Sequence, residues 1–135
     1  VRIDIPDYGN TITSGITDPK KHIVDEAFLP GRNLLLLLTA SSYAVQNGCS
    51  AVSLGLLDES TVLFPDQTDD FLVSAEYTIS KALGHKIEII APLRGFMKSD
   101  VVEMAKSRGI DGTYSCHAGG AEACGNCISC KEFNF

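Results

Sequence analysis

The chain has 135 residues, 44% of them hydrophobic and 21% charged, with 17 acidic against 11 basic side chains and a formal charge of −6 at pH 7. That is one domain's worth of chain with enough apolar content for a real core, and the composition is that of a folded protein rather than a disordered one. The negative balance argues against a surface that coats nucleic-acid phosphates, because such affinity comes mainly from Lys and Arg. The longest apolar run, Leu34 to Leu38, is far short of the ~18 residues that a membrane span needs. Val1-Arg2-Ile3-Asp4 does not read as a signal peptide. The expectation is therefore a soluble, cytoplasmic protein of small-molecule chemistry, with neither membrane nor nucleic acid as partner.

Val1 to Pro6 alternates with period two and predicts a short strand. From Asp7 to Phe28 the glycines, Pro19 and several Asx and Thr residues predict a long connecting segment without helical periodicity. Within it, Ser14-Gly15-Ile16-Thr17-Asp18 faintly evokes the Ser-Gly-Gly-x-Asp-Ser loop that holds pyrophosphate on backbone amides. It lacks the second glycine and runs into Pro19, so an ordinary loop is the better reading. Pro30-Gly31-Arg32-Asn33 then leads into Leu34 to Gln46, where five successive leucines predict a helix buried nearly all round and stopped at Gly48. Ala51 to Leu56 predicts a strand covered on both faces, as in a parallel sheet, with Cys49 at its mouth as an inert core thiol. The polar loop from Gly55 to Asp66 stands at the carboxyl end of that strand, where open α/β sheets place ligands.

From Thr68 the residues Phe71, Ala75, Ile79 and Ala82 or Leu83 recur at helical spacing, with Asp69 and Asp70 at the amino end and Gly84 as the stop. Lys86 to Ala91 predicts a second strand, and Ser99 or Asp100 is expected to cap a helix through Val101, Val102, Ala105 and Lys106 that ends at Gly109. Helix, strand, helix, strand, helix predicts the α/β class with a parallel sheet.

Four of the five cysteines fall between Cys116 and Cys130. Cys124, Cys127 and Cys130 form two overlapping C-x-x-C units, and Cys116 can swing in across a Gly-Gly loop as a fourth ligand. A tetrahedral, structural zinc site is the first reading. Paired disulfides and an iron–sulfur cluster are the alternatives. With four sulfurs to fill the coordination sphere, His117 is left out.

Several segments, in order, resemble the 7-cyano-7-deazaguanine synthases of queuosine and archaeosine biosynthesis, within the N-type ATP pyrophosphatases. Ser14 to Asp18 resembles that family's Ser-Ala-Leu-Thr-Asp, Phe28-Leu29-Pro30-Gly31-Arg32-Asn33 its Tyr-Val-Pro-x-Arg-Asn, and Phe64-Pro65-Asp66 its Tyr-Pro-Asp. Pro92-Leu93 with Lys98 is similar to its Pro-hydrophobic segment and Lys, and Thr113-Tyr114-Ser115-Cys116 with Cys124 to Cys130 resembles its zinc knot. Leu56 and Leu57 stand where the family usually has Ala and Asn, and Gln67 replaces a frequent Cys.

The resemblance implies a Rossmann-like, adenine nucleotide alpha hydrolase-like fold, present here in part. Residues 1–112 would be the C-terminal part of that domain and residues 113–135 a zinc-binding knot and tail. The ATP phosphate loop has no counterpart in these residues, so the 135-residue chain alone is not expected to turn over ATP. The complete enzyme would be an ATP-dependent carbon–nitrogen ligase using Zn²⁺ structurally and ATP with Mg²⁺. It would act on 7-carboxy-7-deazaguanine and ammonia as a homodimer. Arg32, Asn33, Asp58, Asp66 and Lys98 are the candidate substrate- and nucleotide-binding residues, with no catalytic residue assigned. A related pyrophosphatase acting on another substrate, or a non-catalytic zinc-knot binding module, is the alternative.

Overall fold

The computed structural model describes residues 28–132 apart from Asp111, Ser115 and residues 117–120. The strand expected at Val1 to Pro6, the Ser14 to Asp18 loop and His117 lie outside these residues. In chain order the described residues form α1 (Arg32–Gln46), β1 (Ala51–Ser53), two single 3-10 turns (Glu59–Thr61 and Pro65–Gln67), α2 (Asp69–Leu83), β2 (Glu88–Ile90), α3 (Lys98–Ser107) and α4 (Ile128–Glu132). They divide into two compact units, Gly31–Met104 and a second that contains Ala105 onward.

In the first unit β1 and β2 pair in parallel, with Ala51 opposite Glu88, Val52 opposite Ile89 and Ser53 opposite Ile90. The ladder reaches one step further at each end, through the Glu88 amide to the Ser50 carbonyl (2.8 Å) and the Leu54 amide to the Ile90 carbonyl (3.0 Å). Parallel neighbours need a crossover of a dozen or more residues, and α2 supplies it. The α/β class with a parallel sheet is thus the one expected.

The leucine helix departs from expectation. Asn33, Leu37, Ser41 and Ala44 are buried in α1, whereas Leu34, Leu36, Leu38 and Tyr43 are exposed among the described residues. Five consecutive apolar residues wrap a helix of 3.6 residues per turn whatever it packs against, and here only one stripe meets the core. Leu37 and Ala44 join Leu72, Ala75, Ile79 and Ile87 in that core. β1 is shorter than expected and not covered on both faces, with Ala51 and Val52 half-buried and Ser53 exposed. Cys49 is exposed rather than a core thiol. It belongs to the turn that ends α1, where its amide reaches back to the Ala44 carbonyl at 2.8 Å, and so it precedes the strand.

The second helix is set by its ends and its inner face. Thr68 Oγ1 accepts the Phe71 amide at 3.1 Å, Asp69 and Asp70 occupy the first turn, and Gly84 closes the helix at φ 61°. Ala75 and Ile79 are buried as expected, and Leu72 joins them on the inner face; Phe71 and Leu83 are half-buried at its edge and Ala82 is exposed. Glu76 and Ser80, one turn apart, close backbone groups at β2: Glu76 Oε2 accepts the Ile89 amide (2.8 Å) and Ser80 Oγ the Ile87 amide (3.1 Å). At α3 neither Ser99 nor Asp100 precedes the helix. Instead Asp100 reaches back from the first turn to accept the Met97 amide at 2.8 Å, half of a capping box. No described helix is long and apolar enough to cross a membrane.

Candidate functional site

The loops at the carboxyl ends of β1 and β2 gather most of the sequence-predicted binding residues. Gly31 precedes α1 without a side-chain cap, which leaves the first amides of the helix without a local acceptor. Asp66, from the loop after β1, fills that role: its Oδ2 accepts the Asn33 amide at 3.4 Å and its carbonyl accepts Asn33 Nδ2 at 2.9 Å. Both residues are buried, Asn33 at 7% exposure and Asp66 at 8%, and a buried polar pair is held by such mutual satisfaction. The structure therefore brings Asn33 and Asp66 together across 33 residues of sequence. Arg32 stands beside Asn33, half-buried at the first residue of α1.

Asp58 is nearer the surface and is engaged locally. Its Oδ1 accepts the Ser60 hydroxyl at 2.6 Å and the Ser60 amide at 2.9 Å, and these bonds, with Arg94 nearby, hold its carboxyl below the usual range. The Asp58 amide donates to the Phe96 carbonyl at 3.1 Å, which ties the loop to the segment after β2 that leads to Lys98 at the start of α3. Arg94, absent from the expected set, donates to the carbonyls of Leu57 and Gln67 and pairs with Glu59 and Asp69. Asp69 is also held low, by Glu59 first and then Arg94. The sequence signal for Arg94 was no more than a basic residue just past the carboxyl end of the second strand; Glu59 and Asp69 become its neighbours only through the fold.

Between α1 and the end of β1 lies an open recess of about 320 Å³ with an apolar lining, walled by Asn33, Leu36, Val52, Leu54, Gly55 and Leu56. Leu56, one of the departures from the family pattern, thus forms part of its wall. An apolar recess carrying a few polar groups at a strand's carboxyl end suits a flat heterocycle.

In the second unit the Cys116, Cys124, Cys127 and Cys130 sulfurs all lie within 4.8 Å of one another. None of the four is joined in a disulfide, and the 4.0 Å between the Cys124 and Cys130 sulfurs is about twice an S–S bond length of ~2.05 Å. A Zn²⁺ with bonds of ~2.3 Å would space tetrahedral sulfurs by ~3.8 Å, and the Cys124 and Cys130 sulfurs stand 4.0 Å apart. The C-x-x-C spacing has a direct consequence: the Cys127 amide points at Cys124 Sγ and the Cys130 amide at Cys127 Sγ, each at 3.4 Å. The Cys124 amide likewise donates to Cys116 Sγ at 3.3 Å. Gly125 permits the knuckle, with φ at 71°. Hydrogen bonding with Cys127, then burial, pushes the Cys130 thiol up to about 12, against the Gly125 amide. Tyr114 is raised by its hydrogen bond with Cys116. Four thiols this close share protons until a cation lets them ionise together. The cluster could hold a metal ion and is compatible with a structural zinc.

A family model described as queuosine biosynthesis protein QueC matches residues 7–134. The chain belongs to the QueC family. Similar proteins include 7-cyano-7-deazaguanine synthases of Nitratiruptor sp. (30% identical, covering 96% of this chain and 64% of the relative) and of Clostridium botulinum strain 657 (32%, 89% and 57%). That of Synechococcus elongatus is 35% identical, covering 80% of this chain and 50% of the relative. The chain thus spans about half to under two-thirds of the length of these relatives. The nucleotide alpha hydrolase-like assignment accords with the QueC match and with the parallel α/β unit.

Proposed function

We propose that the complete enzyme carrying this chain is a cytoplasmic, ATP-dependent ligase that converts 7-carboxy-7-deazaguanine and ammonia to 7-cyano-7-deazaguanine, and that it works as a homodimer. The observation that carries the reading is the QueC match over residues 7–134, a span that includes both the loop pair at the strand ends and the four-cysteine cluster. In this reading residues 1–112 are the C-terminal part of the nucleotide-binding domain and residues 113–135 the zinc-binding knot. A carboxylate must lose an oxygen before ammonia can replace it, and adenylation turns that oxygen into a leaving group; dehydration of the amide then yields the nitrile.

Arg32 and Lys98 would place positive charge near phosphoryl and carboxylate oxygens. Asn33 would present polar groups to a heterocycle in the recess. Asp58 and Asp66 would face either nucleotide-bound Mg²⁺ or the amino edge of the deazapurine. Zinc would sit on Cys116, Cys124, Cys127 and Cys130 and act structurally, since four thiolates leave no position open for substrate.

The test is incubation of the complete enzyme with ATP, Mg²⁺, ammonia and the deazapurine acid, with product identified by mass spectrometry. The nitrile is expected only when ATP is present. Turnover of a different carboxylate, with this one inert, would identify the related pyrophosphatase instead.

A further inference from the structure

We infer that Arg94 is a positioning residue for the loop that carries Asp58 and Asp66, and that it acts by bridging the two ends of that loop rather than by neutralising charge. Its side chain is only 18% exposed. Nη1 donates to the Leu57 carbonyl at 2.8 Å and Nη2 to the Gln67 carbonyl at 2.9 Å. Those two carbonyls bracket both aspartates, so one guanidinium closes the loop around them. Arg94 is itself fixed in the turn after β2, where its amide donates to the Ala91 carbonyl at 3.1 Å, and the Asp58 amide bonds Phe96 two residues on. Within the loop Gln67 Oε1 accepts the Leu63 and Phe64 amides, each at 3.0 Å. The interior thus has its own clasp, and Arg94 supplies the closure.

The two ion pairs are the lesser part of the arrangement. Glu59 and Asp69 are 49% and 62% exposed, and pairs with solvated partners contribute little. Bridging two carbonyls while meeting two carboxylates needs several donors in a rigid planar fork, which a lysine ammonium on a flexible stem does not offer. Holding the loop ends also removes closure entropy that substrate binding would otherwise have to overcome.

The binding arm of the test rests on the proposed roles of Asp58 and Asp66; the exchange arm does not. Backbone hydrogen exchange, and the dissociation constant for 7-carboxy-7-deazaguanine by calorimetry, would both be measured on the complete enzyme. The proteins compared are wild type, Arg94→Lys and the double variant Glu59→Gln/Asp69→Asn. In Arg94→Lys the loop amides of residues 58–67 are expected to exchange about tenfold faster while those of Ala75 and Ile79 in α2 stay within about twofold. Binding should weaken about tenfold, and the double variant should stay within about threefold of wild type. Equal loss of protection in loop and α2 would make Arg94 a general structural residue and overturn the inference, as would a double variant that opens the loop as far as lysine does. Loop opening without weaker binding overturns the positioning role. A wild-type enzyme that does not bind the deazapurine counts against the proposed function, and the exchange comparison then decides Arg94 alone.

Discussion

Asp58 and Asp66 stand eight positions apart on one loop, yet their surroundings give them different tasks. Asp66 is buried and completes the start of α1 through Asn33, whereas Asp58 organises a 3-10 turn through Ser60. Because the folded pKa of Asp58 is depressed below its ordinary 3.8, its contribution to loop order is present above that value and lost as pH falls through the lower, folded one. Ser60→Ala removes the largest cause. The Asp58 carboxyl is then expected to titrate at higher pH in an NMR titration of its side-chain carbon, with loop order lost earlier on acidification; an unchanged titration would mean that Ser60 does not set it. A carboxylate after a strand was legible from residue order alone. Which neighbour each one would serve was not, because Asn33 and Asp66 meet only when α1 packs beside the sheet.

Among the elements, α2 carries the crossover, and its ends follow from local chemistry: a Thr cap, two acidic residues and a glycine stop. Gly84 sits at φ 61° with open space where a Cβ would be, so a side chain would meet backbone strain and no clash. Gly84→Ala is expected to destabilise the fold by about 1 kcal/mol, read as a lower denaturant midpoint with an unchanged slope. A neutral result would mean that the helix end relaxes. The side-chain bonds from Glu76 and Ser80 to β2 were not legible, since a Glu and a Ser on a helix read as solvent-facing until the strand beside them is known. The five leucines of α1 failed as a guide for a related reason. Hydrophobic periodicity reports a face only when polar residues interrupt it, and here none does until Thr39.

At the scale of the molecule the two units have different sources of stability. Gly31–Met104 has an apolar core around Ile79 and Ile87, which are 2% and 0% exposed. The described residues around the cysteine cluster show little burial beyond Cys116 and Cys130. Structural zinc can supply on the order of 10 kcal/mol of apparent folding free energy, more than a few helix caps. About one zinc per chain is therefore expected by elemental analysis, and Cys127→Ser should lose it. In that variant of the complete enzyme limited proteolysis should cut the cysteine segment while far-UV circular dichroism and the proposed nucleotide binding persist. A fully protected segment in an inactive Cys127→Ser enzyme would give the metal a part in the chemistry instead.

The sequence by itself determined the helix–strand–helix–strand–helix order from α1 to α3, the parallel α/β class, the ends of α2 and the four cysteines of the cluster, because caps, glycine stops and C-x-x-C spacing act over three or four residues and need no partner from elsewhere. Only the tertiary structure decided which leucines of α1 are buried, that Cys49 is exposed, that Asp66 serves Asn33, and that Arg94 joins the ends of the loop after β1. The exposure of Cys49 follows from the turn that ends α1, but the others depend on groups far apart in sequence being brought together, and no local pattern records a contact that the packing of α1 and the crossover creates.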